Sequence, residues 1–219
     1  MPEYRPVADE DREAYQRVLD YAFRAEAGPQ RYESDDDLPD RIGDRRGMYE
    51  GADLLCTCAH HWLTARVRGE WRDVAGLAAV ASPPENRRRG LVAELLRESL
   101  AEYRERGVDF SALWPFDYGF YRRYGWGTVT RYTRYETTPE ALALGTDRAG
   151  EFRRLGPDDW QSLADVLRSH GGNHALAVDR TEDWWRERTF DAWGDGDPYA
   201  YGWFEDGELR GYIVYTVDE

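Results

Sequence analysis

Apolar residues follow helical spacing near the start of the chain and strand spacing soon after it. A helix is predicted over 9–25, where an acidic first turn precedes the apolar positions Tyr15, Val18, Leu19 and Phe23. We expect a short strand before this helix, over 4–8, and a loop over 26–46, where the sequence is polar and broken by Gly and Pro.

The middle of the chain alternates strands with a second helix. Strands are predicted within 47–69 and over 72–84, where small and β-branched residues run without polar interruption to a pair of prolines. The helix is predicted over 88–107, and its apolar positions are Leu91, Val92, Leu95, Leu96, Leu100 and Tyr103, with Gly107 at its end. Further elements follow: a strand over 108–116, a short helix or turn over 117–127 and a long strand over 128–138.

The last part of the chain repeats the opening scheme of strand, acidic helix start and amphipathic helix, over 152–170. A hairpin with Asp206 and Gly207 at its turn follows. These patterns predict an α/β fold in a first domain, residues 1–138, and a partial second copy of that fold over 150–219. Because the second copy stops after the hairpin and would expose an edge strand, we expect a truncated chain or a missing partner segment.

The charge of the chain narrows its partners. It carries 43 acidic and 29 basic residues, every basic residue is Arg, and the formal net charge is −14. Such a surface stays dispersed in concentrated salt, so we expect a salt-adapted source, although it also permits a cationic substrate. It repels phosphates, which argues against a nucleic-acid partner. The N-terminus has no basic region followed by an apolar stretch, and no apolar run approaches about 18 residues, so the chain is predicted to be cytoplasmic with no membrane partner.

Two cysteines, Cys56 and Cys58, lie beside His60 and His61. Successive strand residues point to opposite faces, so these four side chains cannot converge on a metal without a bulge. We therefore interpret the cysteines as core thiols in a reducing compartment and predict no metal.

Three arginines, Arg87 to Arg89, stand where the second helix begins. Cations are unfavourable there, because the first turn of a helix carries partial positive charge. Taken alone the run is a solvated basic cluster or an anion site; the preceding strand, the proline bend and the following helix favour a site in which backbone N–H groups and arginines hold a pyrophosphate. Gly90 would let the backbone approach that group closely. The run lacks the Gly-Lys-[Ser/Thr] of nucleotide hydrolases and the three spaced glycines of dinucleotide-binding folds.

The segment Arg87–Val92 resembles the [Gln/Arg]-x-x-Gly-x-[Gly/Ala] loop of the GNAT (GCN5-related N-acetyltransferase) family, from which Val92 departs at the last position. Residues 80–96, followed by "FYRRYGWG" at 120–127, resemble the Eis (enhanced intracellular survival) branch of that family. The resemblance implies an α/β fold with a mixed sheet, two copies of this fold in tandem and a third, sterol-carrier-like domain. It also implies acetyl-CoA as co-substrate.

The resemblance implies residue roles. Main-chain groups of Val80, Ala81 and Ser82 would receive the pantetheine arm. The pyrophosphate would be held by Arg87, Arg88 and the main-chain amides of Arg89, Gly90, Leu91, Val92 and Ala93. Tyr121 corresponds to the tyrosine that protonates the departing thiolate, with Tyr118 and Tyr124 as rivals; the alternative is an aromatic cluster under the sheet. The general base of the family is a chain-terminal carboxylate from the third domain, a role that does not carry over to Glu219.

The predicted function is therefore transfer of an acetyl group to a primary amine by direct attack. The amine would be a small molecule such as an aminoglycoside, or a lysine side chain, and the formation of a homo-oligomer is left open. The alternative function is a non-catalytic acyl-CoA-binding or interaction module that remains from a truncated Eis-like protein.

Overall fold

The structure is a computed structural model that describes residues 2–24, 26, 30–34, 37–39, 41–131, 138, 150–191 and 198–216. Its strands are β1 (Glu3–Pro6), β2 (Asp44–Glu50), β3 (Asp53–Val67), β4 (Glu70–Ala81), β5 (Phe110–Leu113), β6 (Glu151–Arg154), β7 (Val178–Asp179), β8 (Tyr199–Glu205) and β9 (Glu208–Tyr215). Its helices are α1 (Arg12–Phe23), α2 (Leu91–Glu105), α3 (Tyr118–Arg122), α4 (Trp160–Gly171) and α5 (Glu182–Trp184), which continues as a π-helical segment, Trp185–Phe190.

The chain divides into two units, one of residues 1–116 with 173–179 and one of residues 117–172 with 180–219. The sheet of the first unit has the order β1-β2-β3-β4-β5, and β7 also pairs with β3. Its strands are antiparallel except for the parallel pair β4 and β5. The predicted α/β class with a mixed sheet is confirmed.

The second predicted helix packs as its spacing indicates, because the buried residues of α2 include Leu91, Leu95, Leu96 and Tyr103. This apolar stripe fixes the helix against the sheet and so fixes where its N-terminus lies.

In α1 the spacing gives Tyr15, Val18 and Leu19 correctly, but Phe23 is 52% exposed and does not join the core. Two polar residues of the same helix, Gln16 and Asp20, are buried instead. Asp20 accepts hydrogen bonds from Gln16 at 2.7 Å and from the hydroxyl of Tyr32 at 2.7 Å. These bonds compensate for desolvation of the carboxylate, so polar residues enter a face that spacing alone assigns to apolar ones.

Cys56 and Cys58 are free thiols and fully buried, as predicted for core residues. Burial raises the pKa of each thiol to about 12, so both stay protonated and unreactive at neutral pH. Among the described residues, no group of three or more His, Cys, Asp or Glu side chains is placed to hold a metal ion.

The second unit has a sheet of order β6-β8-β9 with a core of Leu155, Leu163, Ala164, Trp185, Ala200 and Phe204. The predicted hairpin is confirmed: Asp206 and Gly207 join β8 to β9 with φ of 52° and 79°, as a two-residue hairpin turn requires. Residues 128–131 are not in a strand, contrary to expectation, and 132–137 lie outside the described residues. The domain boundaries and the partial second copy of the first fold stay predictions.

No helix in the described part of the chain is long and apolar enough to cross a membrane. The cytoplasmic location and the salt-adapted source stay predictions.

Candidate functional site

Strand β4 carries a bulge near its end. Thr57 of β3 pairs with Ala81 and Ala59 pairs with Ala78, so Ala79 and Val80 together oppose a single residue of β3. Ala79 has a left-handed backbone, with φ of 52°, which costs about 1–2 kcal/mol for a residue with a side chain. The hydroxyl of Thr57 donates a hydrogen bond to the Ala79 carbonyl at 3.2 Å, and this bond offsets part of that cost.

Around the bulge, β4 has an open edge on the side of β5. Its parallel pairing with β5 ends at Leu77 and Leu113, whereas β4 itself continues to Ala81. Within the described ranges, no strand pairs with 78–81 on the β5 side. Backbone N–H and C=O groups left in this way can pair with an extended ligand that carries amides, as an added strand would.

The turn after β4 is fixed by Asn86, which the sequence analysis did not single out. Its amide nitrogen donates to the Leu55 carbonyl of β3 at 3.2 Å, and its amide oxygen accepts from the Arg89 guanidinium at 2.9 Å. Arg89 also forms an ion pair with Glu50 at 3.5 Å. Arg89 is thus tied to the protein itself.

The other two arginines of the run differ from Arg89 and from each other. Arg87 donates through Nε to the Ser82 carbonyl at 3.1 Å. This contact occupies the carbonyl of Ser82 and does not involve its N–H. Arg88 is exposed, has φ of 60°, and forms no hydrogen bond or ion pair with the residues that the structure describes. Of the three predicted phosphate ligands, Arg88 is therefore the one that the protein leaves fully available.

Gly90 begins α2 as its N-cap residue, with φ of 80° and without a side-chain cap. A Cβ at this position would meet no atom within 4 Å, so the left-handed backbone, rather than crowding by the chain itself, demands glycine. The Glu94 N–H donates to the Gly90 carbonyl at 3.1 Å, as the first bond within the helix. The N–H groups of residues 91–93 therefore have no acceptor within the helix and present donors, with the positive end of the helix dipole, to an anion.

Tyr121 lies on α3, in the second unit, whereas the arginine run lies in the first. Tyr121 is only 4% exposed, and its ring makes edge contacts with Phe120 at 5.2 Å and with Trp126 at 6.0 Å. Asp117 caps the short helix by accepting the Phe120 N–H at 3.0 Å. Tyr121 is thus held firmly in one place by its aromatic neighbours.

The two rival tyrosines have different surroundings. Tyr118 is 43% exposed, and its hydroxyl accepts the Thr128 N–H at 3.4 Å. Hydrogen bonding to Thr128 lowers the pKa of Tyr118. The Tyr124 ring lies 5.4 Å from the Phe120 ring and so joins the ring contacts of Phe120, Tyr121 and Trp126.

Sequence reasoning did not find Thr57, Asn86 or Glu50. A threonine within a strand and a glutamate at the end of another strand carry no local signal. Asn86 stands in a proline turn, where an asparagine commonly bonds to backbone, so it is the one of the three that turn chemistry could have indicated.

The fold and this strand–loop–helix geometry define a mixed α/β protein with a candidate anion site at the start of α2. Residues 3–129 match the family model described as the acetyltransferase (GNAT) domain. Because the match covers more than half of the chain, the chain belongs to the GNAT acetyltransferase family, and the resemblance predicted from the sequence is confirmed.

Similar proteins include a protein of Streptomyces griseus named as an N-acetyltransferase, which is 28% identical over 164 residues, or 65% of this chain and 38% of that protein. A protein of Streptomyces avermitilis with the same kind of name is 27% identical over 152 residues, or 61% of this chain and 35% of that protein. The chain spans well under half the length of these curated relatives.

Solved structures with the same fold include a probable N-acyltransferase from Enterococcus faecalis, with a TM-score of 0.78 and 21% identity over 100% of this chain and 55% of that chain. Eis1 from Mycobacterium abscessus has a TM-score of 0.67 and 19% identity over 97% of this chain and 53% of that chain. At these identities the likeness is one of fold.

Proposed function

We propose that this chain binds acetyl-CoA and transfers the acetyl group to a primary amine, as an N-acetyltransferase. One observation carries the proposal: among the described residues, β4 at 78–81 pairs with no strand on the β5 side, and the turn after it leads to a helix N-terminus whose amides at 91–93 have no acceptor within the helix. The strand edge fits an arm that contains amides, and the helix N-terminus fits a pyrophosphate. Acetyl-CoA joins these two chemical groups in that order.

The residues of this stretch divide the binding between them. Main-chain groups of Val80, Ala81 and Ser82 would pair with the pantetheine amides. The N–H groups of residues 91–93 and the guanidinium of Arg88 would hold the pyrophosphate, because two negative charges are best neutralised where unpaired donors and a cation meet.

The bound thioester supplies an activated acetyl group. A neutral primary amine attacks its carbonyl carbon directly and forms the C–N bond, the C–S bond breaks to release the CoA thiolate, and the proton lost by the attacking nitrogen passes to water. In this proposal the hydroxyl of Tyr121 stabilises the departing thiolate. A phenol, with a pKa of ~10, is a weaker acid than a thiol, with a pKa of ~8.5. Tyr121 therefore acts by hydrogen-bonding to sulfur and transfers its proton only as the leaving sulfur becomes more basic.

The test combines two measurements on the 219-residue chain. Calorimetry measures acetyl-CoA binding, and a thiol-release assay measures turnover with a panel of amines that includes an aminoglycoside and a lysine peptide. We expect saturable binding and amine-dependent release of thiol. Failure to bind acetyl-CoA would contradict the proposal.

Binding without thiol release on any amine would instead support the alternative, a non-catalytic acyl-CoA-binding module. The two outcomes are distinguishable because calorimetry does not depend on the choice of amine.

A further inference from the structure

We propose that Thr57 is a positioning residue for acetyl-CoA, because its hydroxyl fixes the β4 bulge that orients the backbone receiving the pantetheine arm. This inference rests on the proposed function. Thr57 itself would touch no part of the ligand; it acts through the Ala79 carbonyl.

The hydroxyl of Thr57 is buried and has one specific partner. Thr57 is fully buried, as are its chain neighbours Cys56 and Cys58. A buried hydroxyl is unfavourable unless it is hydrogen-bonded, and this one donates to the Ala79 carbonyl at 3.2 Å. If packing were the only requirement at this position, valine would fill the same volume.

The bond holds a conformation that the strand would otherwise disfavour. Ala79 has φ of 52° although it is not glycine, and a left-handed alanine persists only where its surroundings fix it. Part of this fixation is apolar, because Ala79 packs against the cluster of Tyr15, Val18, Leu19 and Ala81. The Thr57 hydroxyl supplies the directional part.

Loss of the bulge would change the open edge itself. A bulge places one additional residue in β4 relative to β3, and removing it shifts the following residues by one position in the ladder. A shift of one position reverses the faces of a strand. The main-chain groups of 80–82 that would receive the pantetheine arm would then face elsewhere, while Asn86 keeps its bonds to the Leu55 carbonyl and to Arg89 and so still holds the loop at Arg88.

The experiment compares Thr57→Val, which removes the hydroxyl and keeps the shape, with Thr57→Ser, which keeps the hydroxyl. Each variant is titrated with acetyl-CoA and with ADP, which carries a pyrophosphate but no pantetheine arm. We expect Thr57→Val to weaken acetyl-CoA binding about tenfold, the effect of one lost hydrogen bond of ordinary strength. ADP binding should change by less than about twofold, and Thr57→Ser should restore acetyl-CoA binding to within about threefold of the parent.

Three outcomes would overturn the inference: unchanged acetyl-CoA binding in Thr57→Val, an equal loss for acetyl-CoA and ADP, or no restoration in Thr57→Ser. An equal loss would mean that Thr57 stabilises the fold in general rather than the strand edge. If the parent protein itself binds no acetyl-CoA, the proposed function fails first, and that result is distinguishable because it precedes any substitution.

Discussion

The two ends of α2 each carry charges of the wrong sign for a helix. Its N-terminus, the positive end of the dipole, follows three arginines, and its last turn, the negative end, contains Glu102. Glu102 is fully engaged by the protein: it accepts two hydrogen bonds from Arg46, at 2.6 and 2.9 Å, and one from the Tyr4 hydroxyl at 2.7 Å. Arg88 at the other end has no such partner among the described residues.

The difference between the ends separates structure from binding. Burial alone would raise the pKa of Glu102, but hydrogen bonds from Arg46 and Tyr4 outweigh it and lower that pKa to about 2. A misplaced charge with complete partners anchors the helix on β1 and β2. A misplaced charge without partners among the described residues, next to three amides that have no acceptor within the helix, is what the proposed pyrophosphate site requires.

The sharpest way to test the structural end is Glu102→Gln. Glutamine cannot satisfy both donors of Arg46, whose side chain is only 9% exposed, and Asp44 at 3.4 Å compensates in part. Breaking a buried pair from one side costs about 3 kcal/mol or more. We expect a loss of about 3 kcal/mol in the free energy of unfolding, measured by urea denaturation, with acetyl-CoA affinity of the folded protein nearly unchanged.

The control is Glu105→Gln, the same chemical change at an exposed position of the same helix. It should alter stability by less than about 0.5 kcal/mol. Similar losses in both variants would mean that Glu102 is no anchor.

The ligand end is tested by Arg88→Glu, which should weaken acetyl-CoA binding more than tenfold. A charge-assisted hydrogen bond to a phosphate is worth about 1.5–3 kcal/mol, and the new carboxylate adds repulsion. Calorimetry measures the affinity. Arg88 contributes no described contact to the fold, so the free energy of unfolding should hardly change.

Arg104→Glu makes the same change of charge near the other end of α2, where Arg104 is exposed. It should leave acetyl-CoA affinity within about twofold, because exposed charges about 20 Å apart are screened in physiological salt. Unchanged affinity in Arg88→Glu would remove the pyrophosphate site, and an equal loss in both variants would reduce the site to a general effect of net charge.

The same helix shows how far the sequence leads. The stripe of Leu91, Leu95, Leu96 and Tyr103 and the glycine at the helix start are local signals, and they predict both the buried face and the anion site. The partner of Glu102 is Arg46, 56 positions away. Spacing along one helix cannot indicate which distant strand supplies a counter-charge.

The β4 bulge shows a second limit. Glycine commonly marks a bulge with a left-handed residue, but this one contains Ala79, and the run 77–81 reads as an ordinary buried strand. Its conformation depends on a hydroxyl from the neighbouring strand. The predicted anion site at 87–93 is thus deducible locally, whereas the residues that position the binding stretch, Thr57 and Asn86, depend on the tertiary fold.

The pH dependence of the free energy of unfolding gives a further test of the structural end of α2. His60 is fully buried and its Nε2 lies 3.1 Å from the Ser99 hydroxyl. Burial lowers its pKa to about 4, while Glu102 acts in the opposite direction. In the unfolded chain a histidine has a pKa of ~6.5, so on acidification it binds a proton at a higher pH than the folded one. The contribution of His60 to the free energy of unfolding is therefore fully present above that pH and is lost as the pH drops towards 4. Between pH 7 and 4.5 we expect a loss of about 2 kcal/mol from this group.

The measurement is urea denaturation across that pH range for the parent protein and for His60→Gln, which keeps a polar side chain and does not titrate. The variant should lose about 2 kcal/mol less than the parent on acidification. Protonation of Glu102 also lowers the free energy of unfolding, but mainly below pH 4.5, because its pKa is lowered from 4.5 to about 2 in the folded protein. Parallel pH profiles would show that protonation of His60 is not the cause.

The smallest expected effect concerns catalysis and extends the comparison to the second unit. Tyr121→Phe should lower turnover about tenfold, less than the usual contribution of a general acid, because a thiolate is already a good leaving group. Acetyl-CoA affinity should stay nearly constant, since the binding stretch 78–93 is untouched.

Tyr118→Phe is the matched control: Tyr118 is exposed and its hydroxyl already accepts the Thr128 N–H. A loss of turnover in Tyr118→Phe alone would assign the role of the acid to Tyr118. Turnover equal to that of the parent protein in both variants would mean that water or another group protonates the thiolate. Because Tyr121 is only 4% exposed, a tenfold effect on turnover without an effect on affinity would also separate its chemistry from its packing.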